Sequence, residues 1–180
     1  EIMSIGKSFE EIIQKGLRMI GQGMHGFVGN RDIKFEDLDY ALSHPTDLRI
    51  FAIAQALEQG YSIERIEEKT KIDTWFLSRL KNIVDYAEKL KSYAKIEELS
   101  AEVLAEAKRL GFSDFQIARC VENPDSNFEN DVLRVREHRK NLNVTPKVCR
   151  INTVASEYPE LTNYLYVTYG ANAHQIPYDY

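Results

Sequence analysis

The stretch Thr162-Asn163-Tyr164-Leu165-Tyr166-Val167-Thr168-Tyr169 constrains the fold more than any other in this chain. It alternates and is rich in aromatic and β-branched residues, so it reads as a strand. It comes after about 150 residues that read as helix after helix. A lone strand leaves its edges unpaired and its faces unburied. The sheet that completes it is therefore expected outside this sequence, unless residues 147–151 or a second copy supply a partner. The start, Glu1-Ile2-Met3-Ser4-Ile5, runs into a helix without an initiator Met, which fits an internal piece of a larger protein. On this reading residues 160–180 add least to stability and favour self-association through an open strand edge.

Helical periodicity organises the rest. Ser8-Phe9-Glu10-Glu11 reads as a capping box. Behind it Phe9, Ile13, Leu17 and Ile20 share one face, and Gly21-Gln22-Gly23 should stop the helix. Residues 21–34 read as a Gly-rich loop and 35–43 as a short helix. Pro45-Thr46 restarts the next helix, whose residues Leu48, Phe51, Ile53 and Leu57 leave it apolar nearly all round and hence central. Ser62 caps a helix through Thr70. Asp73 caps the longest one, marked by Phe76, Leu80, Ile83, Val84, Ala87 and Leu90. Trp75, directly behind the Asp73 cap, is expected to be a buried packing anchor; an exposed aromatic facing a missing domain is the other reading. Leu104, Ala107 and Leu110 form a further stripe, stopped by Gly111 in the left-handed conformation. Ser113 and Gln116 make a second capping box. Residues 122–130 are polar, and a last helix runs from Phe128 to about Asn143.

There is a weak internal repeat. Gly60-Tyr61-Ser62 and Gly111-Phe112-Ser113 each stop one helix, place an aromatic beneath the turn and start the next. This is the pattern of a tight helix-turn-helix pair. Such pairs can bind DNA, but residues 111–150 carry seven basic side chains against six acidic ones, so phosphate-driven affinity would be poor. The whole chain has net charge -5, which argues against nucleic acid and anionic membrane as partners. No apolar run approaches membrane-spanning length. With only Cys120 and Cys149, a disulfide framework is not expected, and a reducing cytoplasm is the better fit. Asn143-Val144-Thr145 matches a glycosylation acceptor, for which chance is the simpler account.

Catalytic chemistry finds little support. Gly6-Lys7-Ser8 looks like the end of a phosphate-binding loop, but the first glycine of that motif would fall at Glu1, so a helix start capped by Ser8 fits better. His25, His44, His138 and His174 have no metal-ligand partner four residues on and read as surface or loop residues. Cys120 lies on an apolar stripe and reads as core.

Several segments, in order, resemble the large subunit of carbamoyl-phosphate synthetase. Residues 1–11 with Gln14-Lys15 and Leu17-Arg18 are similar to the end of its first synthetase half, with Lys7 where the family has Arg. Ile72-Asp73-Thr74-Trp75-Phe76-Leu77 resembles its Ile-Asp-x-Trp-Phe-Leu, and Gly111-Phe112-Ser113-Asp114-Phe115-Gln116-Ile117 its Gly-Phe-Ser-Asp-x-Gln-Ile. Residues 152–159 with Thr162 to Tyr169 resemble its Asp-Thr-x-Ala-Ala-Glu…Thr-Asn-Tyr-Leu-Tyr stretch, with Asn152 in place of Asp. An insertion lies around residues 122–130. The resemblance implies the helical oligomerization domain joining two ATP-grasp halves, of an enzyme making carbamoyl phosphate from bicarbonate, ATP and glutamine-derived ammonia.

The expected fold is therefore mostly α: two small helical bundles with helix-turn-helix-like hairpins and an extended C-terminal segment. Expected boundaries are 1–8 as the end of the preceding half, 9–150 as the helical domain (subdomains about 9–95 and 96–150), and 151–180 as a linker into the following half. The expected function is non-catalytic connection and oligomerization, the alternative being a helical regulatory or DNA-binding module. No catalytic, cofactor or metal residue is expected here, and ATP and a divalent metal are implied for the parent enzyme. Implied partners are the flanking ATP-grasp domains, further copies of the chain and a glutaminase. The structural residues singled out are Ser8, Asp73, Trp75, Phe76, Gly111, Ser113, Gln116, Tyr164 and Tyr166.

Overall fold

Eight α-helices and a two-stranded antiparallel sheet are laid out in a computed structural model that describes residues 1–20, 23–30, 33–121, 127–152 and 164–176. The helices are α1 (Phe9–Met19), α2 (Leu38–Ser43), α3 (Arg49–Glu58), α4 (Ile63–Thr70), α5 (Thr74–Lys91), α6 (Ala101–Arg109), α7 (Asp114–Cys120) and α8 (Phe128–Asn141). A 3-10 turn at Ile96–Glu98 precedes α6. The strands are β1 (Lys147–Arg150) and β2 (Leu165–Thr168). The mostly helical class matches the reading of the sequence.

Local chemistry sets most helix starts. Ser8, Asp37, Ser62, Asp73, Ser100, Ser113 and Asn127 each accept a hydrogen bond from a backbone N–H of the first turn. Two starts come later than periodicity suggests. Asp37 caps α2, so it begins at Leu38 rather than at residue 35. A turn at residues 46–48 delays α3 to Arg49, with no side chain capping it. Gly60 and Gly111 both stop helices with φ near +81° and +85°, as the repeat predicts. Their followers differ: Phe112 is buried, whereas Tyr61 is only partly so and carries Arg65 on its ring. The predicted helix stop at Gly21-Gln22, the insertion at 122–126, and residues 153–163 and 177–180 lie outside the described residues.

The first bundle packs α2, α3, α4 and α5 together, and the second packs α7 on α8 with the 3-10 turn. α5 touches α7 and α1, so the two bundles share one continuous core. Ala52, Ile53, Ala56, Ile66, Leu77, Ile83, Leu90, Leu104 and Ile117 lie at its centre. α3 is buried nearly all round, as its apolar composition requires.

The strand is not alone. β2 pairs with β1 in the register Lys147↔Thr168 to Arg150↔Leu165, the partner held open as an alternative above. Within residues 164–169, Thr168 and Tyr169 are tied to the helices, while Tyr164, Leu165 and Val167 stay exposed. Thr168 is fully buried and donates to Glu11 Oε2 on α1 at 2.9 Å, and the Tyr169 ring lies against Lys108 and Arg139.

Trp75 also departs from expectation. It is 50% exposed and its neighbour Phe76 43%, so neither is a core anchor. Both pack against Phe9 instead, edge-on for Trp75 and tilted for Phe76, with ring centroids 5.8 and 5.4 Å away. For Trp75 the reason is helical phase: Leu77, Leu80, Ile83, Val84, Ala87 and Leu90 take the inward face of α5, and residue 75 falls outside that arc, whereas Phe76 lies within it but in the first turn of the helix. Leu77→Ala should cost about 2–5 kcal/mol through transfer and cavity terms. Trp75→Ala should cost about 1 kcal/mol or less, with red-shifted, readily quenched Trp emission in the parent chain. Urea unfolding followed by far-UV circular dichroism distinguishes them; equal costs would refute the exposed placement.

Candidate functional site

The first helix buries three polar side chains beside one apolar one, Leu17. Glu10, Glu11 and Gln14 are all buried, whereas Ile20, one of the four expected apolar contacts, is exposed and Phe9 and Ile13 are half-buried. Each buried polar group has partners, as burial demands. Gln14 Oε1 accepts from Phe27 N–H at 3.0 Å and from Gln116 Nε2 at 2.8 Å, while its Nε2 donates to the Leu110 carbonyl at 3.2 Å. Gln116 Nε2 also donates to the Val28 carbonyl at 3.0 Å. Its Oε1 accepts from Ser113 N–H at 3.0 Å, closing the capping box of α7, and from Arg18 at 3.2 Å. These two glutamines lock α1, the 26–28 turn and the α6–α7 turn together.

Two glycines permit that approach. Gly26 has φ +141°, and a Cβ there would lie 2.6 Å from Gln116 Nε2. At Gly111 a Cβ would come within 3.0 Å of the Glu11 Cα. Gly111 is thus both a left-handed stop and the point where α1 crosses the turn.

Glu11 forms a second centre. The expected reciprocal capping box at Ser8 is only half made. Ser8 Oγ accepts from Glu11 N–H at 3.2 Å, but the Glu11 carboxylate reaches Lys7 N–H at 2.7 Å, one residue upstream. It turns there because it also accepts from Lys15 Nζ at 2.7 Å and from Thr168 Oγ1 at 2.9 Å. The Lys15 ammonium donates in addition to the carbonyls of Ile5 at 2.9 Å and Val167 at 2.7 Å. One ammonium therefore joins the segment before α1, α1 itself and β2.

A third centre holds the end of β2. Asp114 accepts two-pronged hydrogen bonds from Arg139, at 2.9 to 3.0 Å, and one from Lys108 at 2.9 Å. Burial opposes the charge on Asp114, but the Arg139 hydrogen bonds and the Lys108 charge outweigh it and hold its carboxyl below the ordinary carboxylate range. Burial lowers Lys108 to about 8, against the pull of Asp114 and with the push of Arg139 and Arg18. The Tyr169 ring covers both cations, 5.1 Å from Lys108 and 5.7 Å from Arg139.

Two outward surfaces remain. One is the aromatic cluster Phe9, Trp75 and Phe76, with Arg79 over the Trp75 ring at 5.1 Å. It borders an open polar groove of about 610 Å³ between α1, α5 and α6, lined by Glu10, Asn82, Tyr86 and Arg109 among others. The other is an apolar groove of about 580 Å³ between residues 3–5, the end of α1 and β2, where Met3, Met19, Tyr164, Leu165 and Val167 are exposed. Tyr166, beside it, is half-buried with the Lys7 and Lys15 ammonium groups each 6.0 Å from its ring centroid.

Of the residues singled out, Ser8, Asp73, Ser113 and Gln116 cap helices, Gly111 makes a close crossing, and Trp75, Phe76 and Tyr164 lie on the surface. Periodicity did not point to Glu11, Gln14, Lys108, Asp114 or Arg139, which organise the interior. Gln14 and Gln116 do fall within the resembling segments. Among the described residues no group of three His, Cys, Asp or Glu could hold a metal. Burial raises the Cys120 thiol to about 11, too high for a thiolate nucleophile at neutral pH. His138 is neither in a loop nor fully on the surface: it lies half-buried in α8, 2.9 Å from the Leu99 carbonyl.

Two substitutions test this interior. Gln116→Leu removes the side-chain partner of the Val28 carbonyl and of the Ser113 N–H and one of the two donors to Gln14 Oε1, and should cost about 1–3 kcal/mol in urea unfolding; a neutral result would mean the glutamine pair is dispensable. Lys108→Met keeps the volume and leaves Asp114 paired with Arg139, so it should stabilise the chain at pH 7 by about 1–2 kcal/mol. Unfolded Lys108 titrates near 10.5 and the folded group near 8, so the unfolded chain holds more protons in that window and the parent chain gains stability there. The advantage of the Met variant should therefore shrink at pH 9.5, and an advantage independent of pH would contradict the buried ammonium.

A family model described as carbamoyl-phosphate synthetase large chain, oligomerisation domain, matches residues 1–143. The chain is 46% identical over 180 residues to the multifunctional protein URA2 of Saccharomyces cerevisiae, covering 99% of this chain and 8% of that one. It is 43% identical to the mitochondrial arginine-specific carbamoyl phosphate synthase large chain of Neurospora crassa, covering 99% and 15%. To the mitochondrial carbamoyl-phosphate synthase [ammonia] of Rattus norvegicus it is 40% identical, covering 99% and 12%. The chain thus spans less than a sixth of the length of these relatives. Nothing in them favours the DNA-binding alternative. No described helix is long and apolar enough to cross a membrane. The model matches well over half of the chain, and the chain belongs to the oligomerisation-domain family of carbamoyl-phosphate synthetase large chains.

Proposed function

We propose that this chain is the non-catalytic connecting and oligomerization domain of a carbamoyl-phosphate synthase, a ligase that joins bicarbonate and glutamine-derived ammonia at the expense of ATP. Residues 9–150 form the helical domain, with subdomains 9–95 and 96–150; 1–8 end the preceding synthetase half and 151–180 lead into the next. The parent's ATP and divalent metal belong to the flanking ATP-grasp halves, and its ammonia to a glutaminase subunit or domain.

The observation that carries this reading is where the polar side chains go. Glu11, Gln14, Gln116, Asp114 and Arg139 are all committed to hydrogen bonds inside the chain. A catalytic site instead needs polar groups aimed at a reacting molecule. The exposed side chains at Trp75, Phe76, Met3, Met19, Leu165 and Val167 are those of docking surfaces, suited to neighbouring domains or further copies.

A reducing compartment fits the two free thiols. Cytoplasm is the reading from sequence, and a mitochondrial location stands beside it because relatives of that name are comparably similar.

The purified chain should turn over no ATP, with or without bicarbonate, glutamine or carbamate, while the longer parent polypeptide makes carbamoyl phosphate. ATP turnover by the chain alone, lost on substituting one of its own residues, would overturn the non-catalytic role. Binding to nonspecific duplex DNA at low salt would instead favour the regulatory alternative.

A further inference from the structure

We propose that the polar groove between α1, α5 and α6 binds a small zwitterion, a molecule that carries a primary ammonium and a carboxylate as a free amino acid does. The site goes beyond the connecting role proposed above and does not rest on it.

The anionic end is built around Glu10, which is only 4% exposed. Its Oε1 accepts from Asn82 Nδ2 at 2.9 Å, and Arg79 stays 3.8 Å from the same atom, too far for a hydrogen bond. Among the described residues no protein group donates to Oε2. The Ser4 hydroxyl is the one unpartnered side-chain polar atom sealed from solvent among those residues, so Glu10 Oε2 opens outward, and Glu10 lines the groove. A carboxylate so deeply seated binds a charged donor more strongly than a neutral one. Asn82 adds a second acceptor beside it. Only the amide N–H2 can face a carboxylate, so the bond to Glu10 fixes the flip of this side chain and turns Oδ1 away. No described residue donates to that oxygen.

The cationic end lies along the same helix. Of the other charged side chains lining the groove, Asp85 is held by Lys81, Glu106 is held by Arg109, and Arg79 lies over the Trp75 ring. Lys89 has no acidic partner among the described residues, and its ammonium stands 5.1 Å from the centre of the Tyr86 ring. That ring is fixed by its hydroxyl, which donates to the Val103 carbonyl at 2.8 Å. Asn82 and Tyr86 are one helical turn apart, about 6 Å along α5. An amino acid can bridge that gap with the Tyr86 ring beneath its carbon atoms.

Opposite charges at the two ends select the ligand class. A simple anion would meet Glu10 and a simple cation would meet Lys89 and Arg79, whereas a molecule with both charges satisfies both ends at once. At about 610 Å³ the groove falls within the range of small-molecule sites, about 300–1,000 Å³. The ligand ammonium would donate to Glu10 Oε2 and Asn82 Oδ1, and its carboxylate would accept from Lys89. Glu10 belongs to α1 and the other two to α5, so the bound molecule would tie the first helix to the longest one.

Titration of the 1–180 chain with glycine and with 4-aminobutyrate, followed by amide NMR, tests this. At least one of them should saturate, shifting the Asn82 side-chain amide and the Lys89 backbone amide. Methylammonium and acetate, each carrying half of the charge pattern, should bind at least about tenfold more weakly than that zwitterion. Glu10→Gln and Lys89→Met should each weaken its binding at least about tenfold. Lys89 is exposed, so its variant should melt like the unsubstituted chain and decides the matter if Glu10→Gln does not fold. Saturation by neither zwitterion, binding no tighter than that of the halves, or binding unchanged in Lys89→Met would overturn the proposal. Methylammonium binding as tightly as the zwitterion would make Glu10 a seat for a lone cation and overturn the ligand class. Synthesis of carbamoyl phosphate by the longer parent polypeptide bears on none of these outcomes.

Discussion

The hydrogen-bonded pair of Gln14 and Gln116 is the interaction on which the arrangement of helices depends. A buried carboxamide tolerates few geometries, because each oxygen and nitrogen left unpaired costs as much as several apolar contacts supply. Satisfying both amides at once fixes α1 against the α6–α7 turn and the 26–28 turn, positions that helix periodicity alone leaves open. The constraint works only because Gly26 and Gly111 lack side chains where the backbones converge. Apolar packing supplies the bulk of the driving force, and the polar pair selects one packing among those that would bury similar area.

Charge does related work at the other end. Asp114, Lys108 and Arg139 come from three successive helices and meet under the Tyr169 ring. Removing two cations and an anion from water is costly, and a well-packed apolar trio could be at least as stable. What the trio adds is direction: the fork of Arg139 fits the carboxylate in one orientation, which seats the residue after β2.

Much of the fold was legible because its signals are local. Cap residues such as Ser62, Asp73 and Ser113, the stops at Gly60 and Gly111, and the apolar stripe of α5 each act within a turn or two of chain. Errors arose where the deciding partner is distant in sequence. Periodicity assigned the first helix an apolar inner face, yet Glu11 and Gln14 are drawn inward by groups about 100 to 157 residues away. Trp75 was expected inside because Trp is large and apolar, but its place on the helix circle, not its size, decides where it points. The pairing of β2 with β1 was available as an alternative, since two short extended stretches in one chain are natural partners, but no local pattern selects it over a partner elsewhere.

The Lys15 ammonium has a mechanical consequence. Its contacts on Ile5 and Val167 bring together backbone positions 162 residues apart, with one nitrogen between them. A pull on the segment ahead of α1 would therefore reach the strand at residue 167 directly, without first deforming the helical core. The helices need not bend for the two ends to sense each other: the tension path runs through two side chains of α1, Lys15 and Glu11.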